Sequence, residues 1–251
     1  MKRLNEFSNE DLGSSEELNE KLITFGGKVY PKFGNTVLLA GGAGSGKGFV
    51  NDKLLAIEGL VYDVDVIKEL ALKSKLINKL AKEQTGQDIS TFNLKNPDNV
   101  STLHTILDKT LNIIDKRKLT SYVSILLADK DRKPNLIFDV TLKSLNKLRS
   151  ITSDIEKLGY EKKDSHLVWV INDYNKAIVQ NSTRPRRVPH EILMDTHRGA
   201  AQTAKDILDM GKDIKKYIDG DIWYVFAKAN VDTKLVKSEF GGHYLKDANY
   251  I

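Results

Sequence analysis

The sequence predicts an α/β fold in three layers, a mostly parallel sheet of five strands with helices on both faces. Three observations carry that expectation. Short uninterrupted apolar runs recur along the chain, as in strands buried on both faces. Stretches with apolar residues every three or four positions separate them. The first run also leads straight into a glycine-rich turn and then a helical pattern, the opening of a strand–helix–strand unit.

Residues 1–30 are polar and acidic, with Ser14 or Ser15 placed to cap a short helix, and read as an appendage to a core domain over 31–251. The first strong strand is Thr36-Val37-Leu38-Leu39-Ala40. Val50, Leu54 and Ile57 then recur at helical spacing until Gly59 stops them, and Leu60-Val61-Tyr62-Asp63-Val64 reads as a second strand. Helical patterns fill 65–130 as an insertion, carried first from Val66, then by Leu103, Ile106, Leu107, Leu111 and Ile114, then by Leu119, Tyr122, Val123 and Leu126. Such an insertion is the candidate for selecting substrate. Asn135-Leu136-Ile137-Phe138-Asp139 is a third strand, followed by a helix through Leu145, Leu148, Ile151, Ile155 and Leu158 that Gly159 ends. Residues 167–171 and 222–227 supply strands four and five, and a long amphipathic helix through Leu193, His197, Ala200, Ala204 and Ile207 lies between them.

The chain has 251 residues, 40% apolar and 29% charged, so it can bury a sizeable core. Cysteine is absent, which excludes disulfides, thiolate metal sites and cysteine nucleophiles. The longest apolar runs are far too short to cross a bilayer, and the N-terminus lacks a signal-peptide core, so the expectation is a cytoplasmic protein with no membrane partner. Net charge is +5, but the first twenty residues carry two basic and six acidic side chains, leaving +9 for the rest. A basic body suits a polyanionic ligand, a nucleotide or a nucleic acid; a lysine-rich solvated surface gives the same balance.

Gly41-Gly42-Ala43-Gly44-Ser45-Gly46-Lys47 has the spacing of a phosphate-binding loop, set between a strand and a helix as that motif requires. Backbone N–H groups there converge on phosphate oxygens, the helix N-terminus adds positive potential, and Lys47 reaches the outer phosphates. The expected ligand is ATP, and the expected architecture a P-loop kinase fold. The hydroxyl residue that normally follows the lysine is replaced by Gly48. Mg2+ then falls to carboxylates, Asp139 with an aspartate of the Asp63/Asp65 pair, or to Ser45 inside the loop.

Asp63 and Asp65 end the second strand, where alternation places both on one side. One of them is the candidate base for an attacking hydroxyl, Asp65 ahead of Asp63, and the other caps the following helix. Asp63 is also a candidate for holding substrate or metal. Asp139 closes an apolar strand, the position of an acid that orients metal-bound water. Arg184, Arg186 and Arg187 surround Pro185 and precede Pro189, and the stiff segment 182–190 reads as a lid whose guanidinium groups meet the charge of a moving phosphoryl group. His190 lies beside it, while His197 falls on an apolar helix face and reads as a buried structural residue.

The loop, the Asp-x-Asp strand end, the strand acid and the Arg-x-Arg-Arg-Val-Pro segment follow one another in an order that resembles the zeta-toxin-like P-loop kinases, over about residues 35 to 210. The resemblance implies phosphorylation of a hydroxyl on a nucleotide sugar, with Lys47 on phosphate and Asp65 as base. Asp139-Val140-Thr141-Leu142-Lys143 resembles that family's Glu-Gly-Thr-x-Arg segment, which implies that Thr141 and Lys143 face the acceptor. Asn181 stands where the family has its first lid arginine, so Arg184, Arg186 and Arg187 carry that duty. The form of residues 41–49 with its Asp-Val-Asp sequel also resembles kinases of large bacteriophages, some of which phosphorylate hydroxymethylated pyrimidines in DNA. The leading expectation is ATP-dependent phosphorylation of a small-molecule or nucleotide hydroxyl. A kinase acting on nucleic acid and an inactive nucleotide-binding module are the alternatives. No Asn-Lys-x-Asp segment for reading guanine occurs.

Overall fold

The structure, a computed structural model, describes residues 19–20, 30–184, 186–227, 233–237 and 249–250. The acidic appendage read over 1–30, with its capped helix, lies almost wholly outside the described residues, as does Pro185. Short strands β1 (Asn19–Glu20) and β2 (Tyr30–Pro31) form a separate antiparallel pair.

The main sheet is built around β3 (Thr36–Ala40), every residue of which is buried. A continuous apolar strand needs cover on both faces, and β3 has it. Val37 and Leu39 join Val50 of helix α1 (Lys47–Lys53) and Leu54, Leu55 and Ile57 beyond it. Leu38 and Ala40 face the opposite way. Beyond α1 come β4 (Leu60–Tyr62), α2 (Val64–Lys73), α3 (Lys75–Thr85), α4 (Pro97–Thr105) and α5 (Ile113–Leu126). The chain returns through β5 (Leu136–Val140), α6 (Leu145–Lys157) and β6 (Ser165–Asn172). It continues as α7 (Tyr174–Thr183), α8 (His190–Met210) and β7 (Ile222–Ala227). Leu38 and Ala40 meet Leu148, Ile151 and Ile155 of α6 and Ala200, Ala204 and Ile207 of α8.

Strand order is β4-β5-β3-β6-β7, all parallel, the five-stranded sheet that the apolar runs predict. Two further strands, β8 (Thr233–Lys237) and β9 (Asn249–Tyr250), extend it antiparallel from β7. The helices of 64–126 enclose their own small core of Ala71, Ala81, Ile89, Leu103, Ile106, Leu107 and Leu111. A π-helical turn, Ile106–Thr110, joins α4 to α5, where the periodicity alone reads as unbroken helix.

The second strand is shorter than its sequence suggests. It ends at Tyr62, because Asp63 caps α2 by accepting the Asp65 N–H at 2.7 Å. A side-chain oxygen that satisfies an orphan amide at a helix start competes well with one more strand residue. Asp63 and Asp65 therefore flank a helix N-terminus and do not alternate along a strand. α1 likewise stops at Lys53, before the apolar positions Leu54 and Ile57 that extend its pattern.

At the opposite end of the sheet the buried Asn135 holds three segments together. Its Oδ1 accepts from Asn35 N and Nδ2 at 2.8 and 3.1 Å, and its Nδ2 donates to Lys32 O and Glu58 O at 2.8 and 3.0 Å. Replacing Asn135 by alanine strands several buried polar groups at once. We expect Asn135→Ala to lower unfolding free energy by about 2–4 kcal/mol in urea titrations, and Asn135→Leu to recover little of it.

Candidate active site: a phosphate loop facing three carboxylates

The glycine loop leaves the carboxyl end of β3 and enters α1 through Gly46, whose φ of 99° is open to glycine and costly for other residues. Inside the loop, Ser45 N–H donates to Gly42 O at 3.1 Å. Gly44 O accepts from Asn172 Nδ2 at 3.2 Å. Lys47 folds back over the loop, donating to Gly41 O at 2.9 Å and Gly42 O at 3.3 Å, and pairs with Asp139 Oδ1 at 3.6 Å.

Asp139 sits in β5, beside β3 in register with Leu39. Burial pushes its carboxyl above the ordinary 3.8; Lys47 opposes that shift, and the charges of Asp63 and Asp65 add to it. Burial also pushes Asp63 upward, against the Asp65 amide bond and the charges of Arg186 and Lys47. Asp65 is held by two cations. Its Oδ1 lies 3.2 Å from Lys68 Nζ, three residues along α2, and its Oδ2 accepts from Arg186 Nη2. Lys68 and Arg186 are both buried.

Of the three arginines, only Arg186 reaches the carboxylates. Arg184 closes α7. Arg187 is exposed, and its backbone N–H donates to Leu94 O at 2.9 Å, which ties the segment to the helical insertion. Asn181 fixes the other side, donating to Val188 O at 2.8 Å and accepting Val188 N–H at 2.9 Å. Residues 182–183 belong to α7 and His190 starts α8, so both ends of the predicted lid are helical.

Thr141 is half-buried just past β5. Leu142, buried with φ of 49°, turns the chain, and Lys143 projects outward to pair with Asp195 of α8 at 2.5 Å. Gly48 is exposed in the first turn of α1, and a Cβ there would meet nothing within 4 Å. Ser45 is buried, its hydroxyl close to Gly41.

Two contributors escaped the sequence reading. Lys68 is legible only once the helix is known to begin at Val64, which puts it one turn from Asp65. His197, read as a core residue, is half-buried against the loop, with Nε2 2.6 Å from Ala43 O. Its ring turns away from the apolar core because the glycines leave room for it: a Cβ on Gly42 would lie 2.7 Å from the ring.

The donors available to a divalent cation are carboxylates, Asp139 and Asp63, whose hard oxygens suit Mg2+ when phosphate and water complete its shell. Among the described residues no group of three or more histidines, cysteines or acids could hold a metal by itself. No described helix is long and apolar enough to cross a membrane.

A central strand feeding a glycine loop and helix, within a five-stranded parallel sheet with an acid on the neighbouring strand, is the fold of the P-loop kinases. The complex of AvrRxo1-ORF1 with AvrRxo1-ORF2 solved with ATP is similar at a TM-score of 0.53 and 13% identity, over 83% of this chain and 59% of that one. The same complex with sulphate ions gives 0.52 and 13%, over 84% and 60%. The chain thus spans about three-fifths of the length of those neighbours, and at such identity the likeness concerns the fold. A structure from the PezAT chromosomal toxin–antitoxin system of Streptococcus pneumoniae is similar at a TM-score of 0.42 and 13% identity, over 80% of this chain and 71% of that one. No protein-family model matches the chain, and no curated protein matches it in sequence.

Because burial raises the Asp139 carboxyl, the folded chain binds its proton more tightly than the unfolded chain does. That contribution to stability is present below the ordinary value of 3.8 and is lost as pH rises through the raised one. Asp139→Asn is therefore expected to match wild type in thermal unfolding midpoint in acid and to equal or exceed it at neutral pH.

Proposed function

We propose that this chain is an ATP-dependent phosphotransferase that phosphorylates a hydroxyl on a small molecule or nucleotide derivative such as a nucleotide sugar. The observation that carries the reading is the convergence of Lys47, Asp139, Asp63, Asp65 and Arg186 beside the glycine loop. The sequence resemblance to zeta-toxin-like kinases, and the ATP in a structure of similar fold, support it.

In this reading the N–H groups of residues 41–48 cradle the phosphates, and Lys47 exchanges its carbonyl partners for phosphate oxygens. Asp139 and Asp63 would hold Mg2+, which supplies charge neutralisation for the phosphates when bound. Asp65 takes the acceptor's proton once Arg186 has moved from its Oδ2 to the transferring group, so one displacement frees the base and delivers a cation. Arg184 and Arg187 add positive potential from the same segment. Thr141 and Lys143 are the proposed acceptor contacts, and Lys143 must leave Asp195 to make one.

Labelled ATP with Mg2+ against nucleotide sugars, nucleosides and hydroxymethylated DNA tests the reading. Wild type should label an acceptor, Lys47→Ala should lose about 10²–10³-fold in rate, and Asp65→Asn about 10²–10⁴-fold. ATP binding without any labelled acceptor, together with no effect of Asp65→Asn on ATP turnover, would sink it.

Gly48→Ser places a hydroxyl where the chain has open space. The expected result is a midpoint unchanged or slightly raised, because serine is the better helix former by about 0.5 kcal/mol. Half-maximal activity should need less Mg2+, as read from a titration at fixed ATP.

A further inference from the structure

Five of the eight residues from 41 to 48 are glycine. A chain so free loses much entropy when it is fixed, and if nothing else fixes it, a bound phosphate bears that cost as lost affinity. Consecutive residues of α8 fix it here. The Thr196 hydroxyl donates to Leu193 O at 2.8 Å, which turns its lone pairs to the Ala43 N–H at 3.3 Å. His197 Nε2 lies 2.6 Å from Ala43 O, and since a carbonyl only accepts, that nitrogen carries the hydrogen. Both backbone polar groups of Ala43 are thereby held by one turn of helix. Tyr174 packs edge-on against the imidazole, with ring centroids 5.6 Å apart, and holds its orientation.

We infer that His197 is a positioning residue for the phosphate loop. By gripping Ala43 and walling off Gly42, it sets the loop in a phosphate-ready shape before any ligand arrives. It also makes that shape depend on the helix that follows the arginine segment. The same stretch of α8 carries Asp195, which holds Lys143, so one helix braces the loops after both β3 and β5. The effect on nucleotide affinity rests on the proposed phosphotransfer; the bracing of the loop does not.

The test separates donor from ring in the full-length chain. His197→Gln keeps a donor near the Nε2 position, His197→Phe keeps the ring, and His197→Ala keeps neither. Amide hydrogen exchange of the loop without nucleotide should speed up in the Phe and Ala variants and stay near wild type in the Gln variant. Calorimetric ATP affinity should fall about tenfold for Phe and Ala and less than about threefold for Gln, with KM for ATP rising more than kcat falls. Gly42→Ala, whose Cβ would lie 2.7 Å from the His197 ring, should weaken ATP binding in wild type and add nothing in His197→Ala. A Phe variant equal to wild type in both loop exchange and affinity overturns the inference, leaving His197 a space-filling residue. A wild-type chain that binds no ATP yet shows the predicted exchange pattern overturns the phosphotransfer reading and supports the bracing.

Discussion

Three carboxylates and three cations share the crevice at the strand ends, and none can lie there unpaired. Lys47, Lys68 and Arg186 expose 13%, 11% and 9% of their side chains. A charge withdrawn from water to that degree costs several kcal/mol unless a partner replaces the solvent. Lys47 is matched by Asp139 and two loop carbonyls, Asp65 lies between Lys68 and Arg186, and Asp63 accepts a helix amide. This pairing sets where β5 stands against the loop, where α2 begins, and how far the arginine segment folds in. A polyanion entering the loop upsets the balance. Lys47 and Arg186 are then the groups with reason to change partners, and the partners they abandon are the metal acid and the base of the proposed chemistry.

The sheet was readable because its central strands are buried on both faces and so carry unbroken apolar runs, although the edge strand β4 is largely exposed. Val37 and Leu39 serve one core, Leu38 and Ala40 the other, and five residues suffice to declare both. The loop was readable because glycine spacing and a lysine are local features. That an aspartate of the pair caps the next helix was legible, but where the strand gives way to that helix was harder to see. Strand end and helix start compete at that position, and the choice turns on a single 2.7 Å bond from the Asp65 amide. Lys68 and His197 stayed hidden for another reason. One needs the helix register and the other needs to be placed opposite Gly42, and these are tertiary facts with no pattern in sequence. The added antiparallel strands β8 and β9 likewise produced no run that stood out from their polar surroundings.

The arginine segment shows how position selects among similar residues. Three arginines within four positions look equivalent in sequence, but Asn181 pins Val188 and Leu94 holds Arg187 by its backbone. Near those anchors, Arg186 is buried against Asp65, while Arg187 is exposed and Arg184 half-buried. Asn181 occupies the place of an arginine in the resembled family and here contributes the staple that aims Arg186. Because Leu94 belongs to the helical insertion, the segment joins the insertion to α8, and movement of either would be felt at Asp65.

Gly48 is the point at which the loop departs from the phosphate-loop pattern. A hydroxyl there would donate one metal ligand from the first turn of α1, and the space for it is open, so sterics do not explain its absence. What the chain offers in its place is a carboxylate made costly by burial. Asp139, pushed upward and stabilised chiefly by Lys47, is an acceptor waiting for a second cation. In the proposed chemistry, a phosphate that drew Lys47 away would leave Asp139 without its neutralising partner and with an oxygen to offer a divalent cation. Under the proposed phosphotransfer, the raised carboxyl and the missing hydroxyl fit one scheme, in which Asp139 would accept a metal only after nucleotide had displaced the loop lysine.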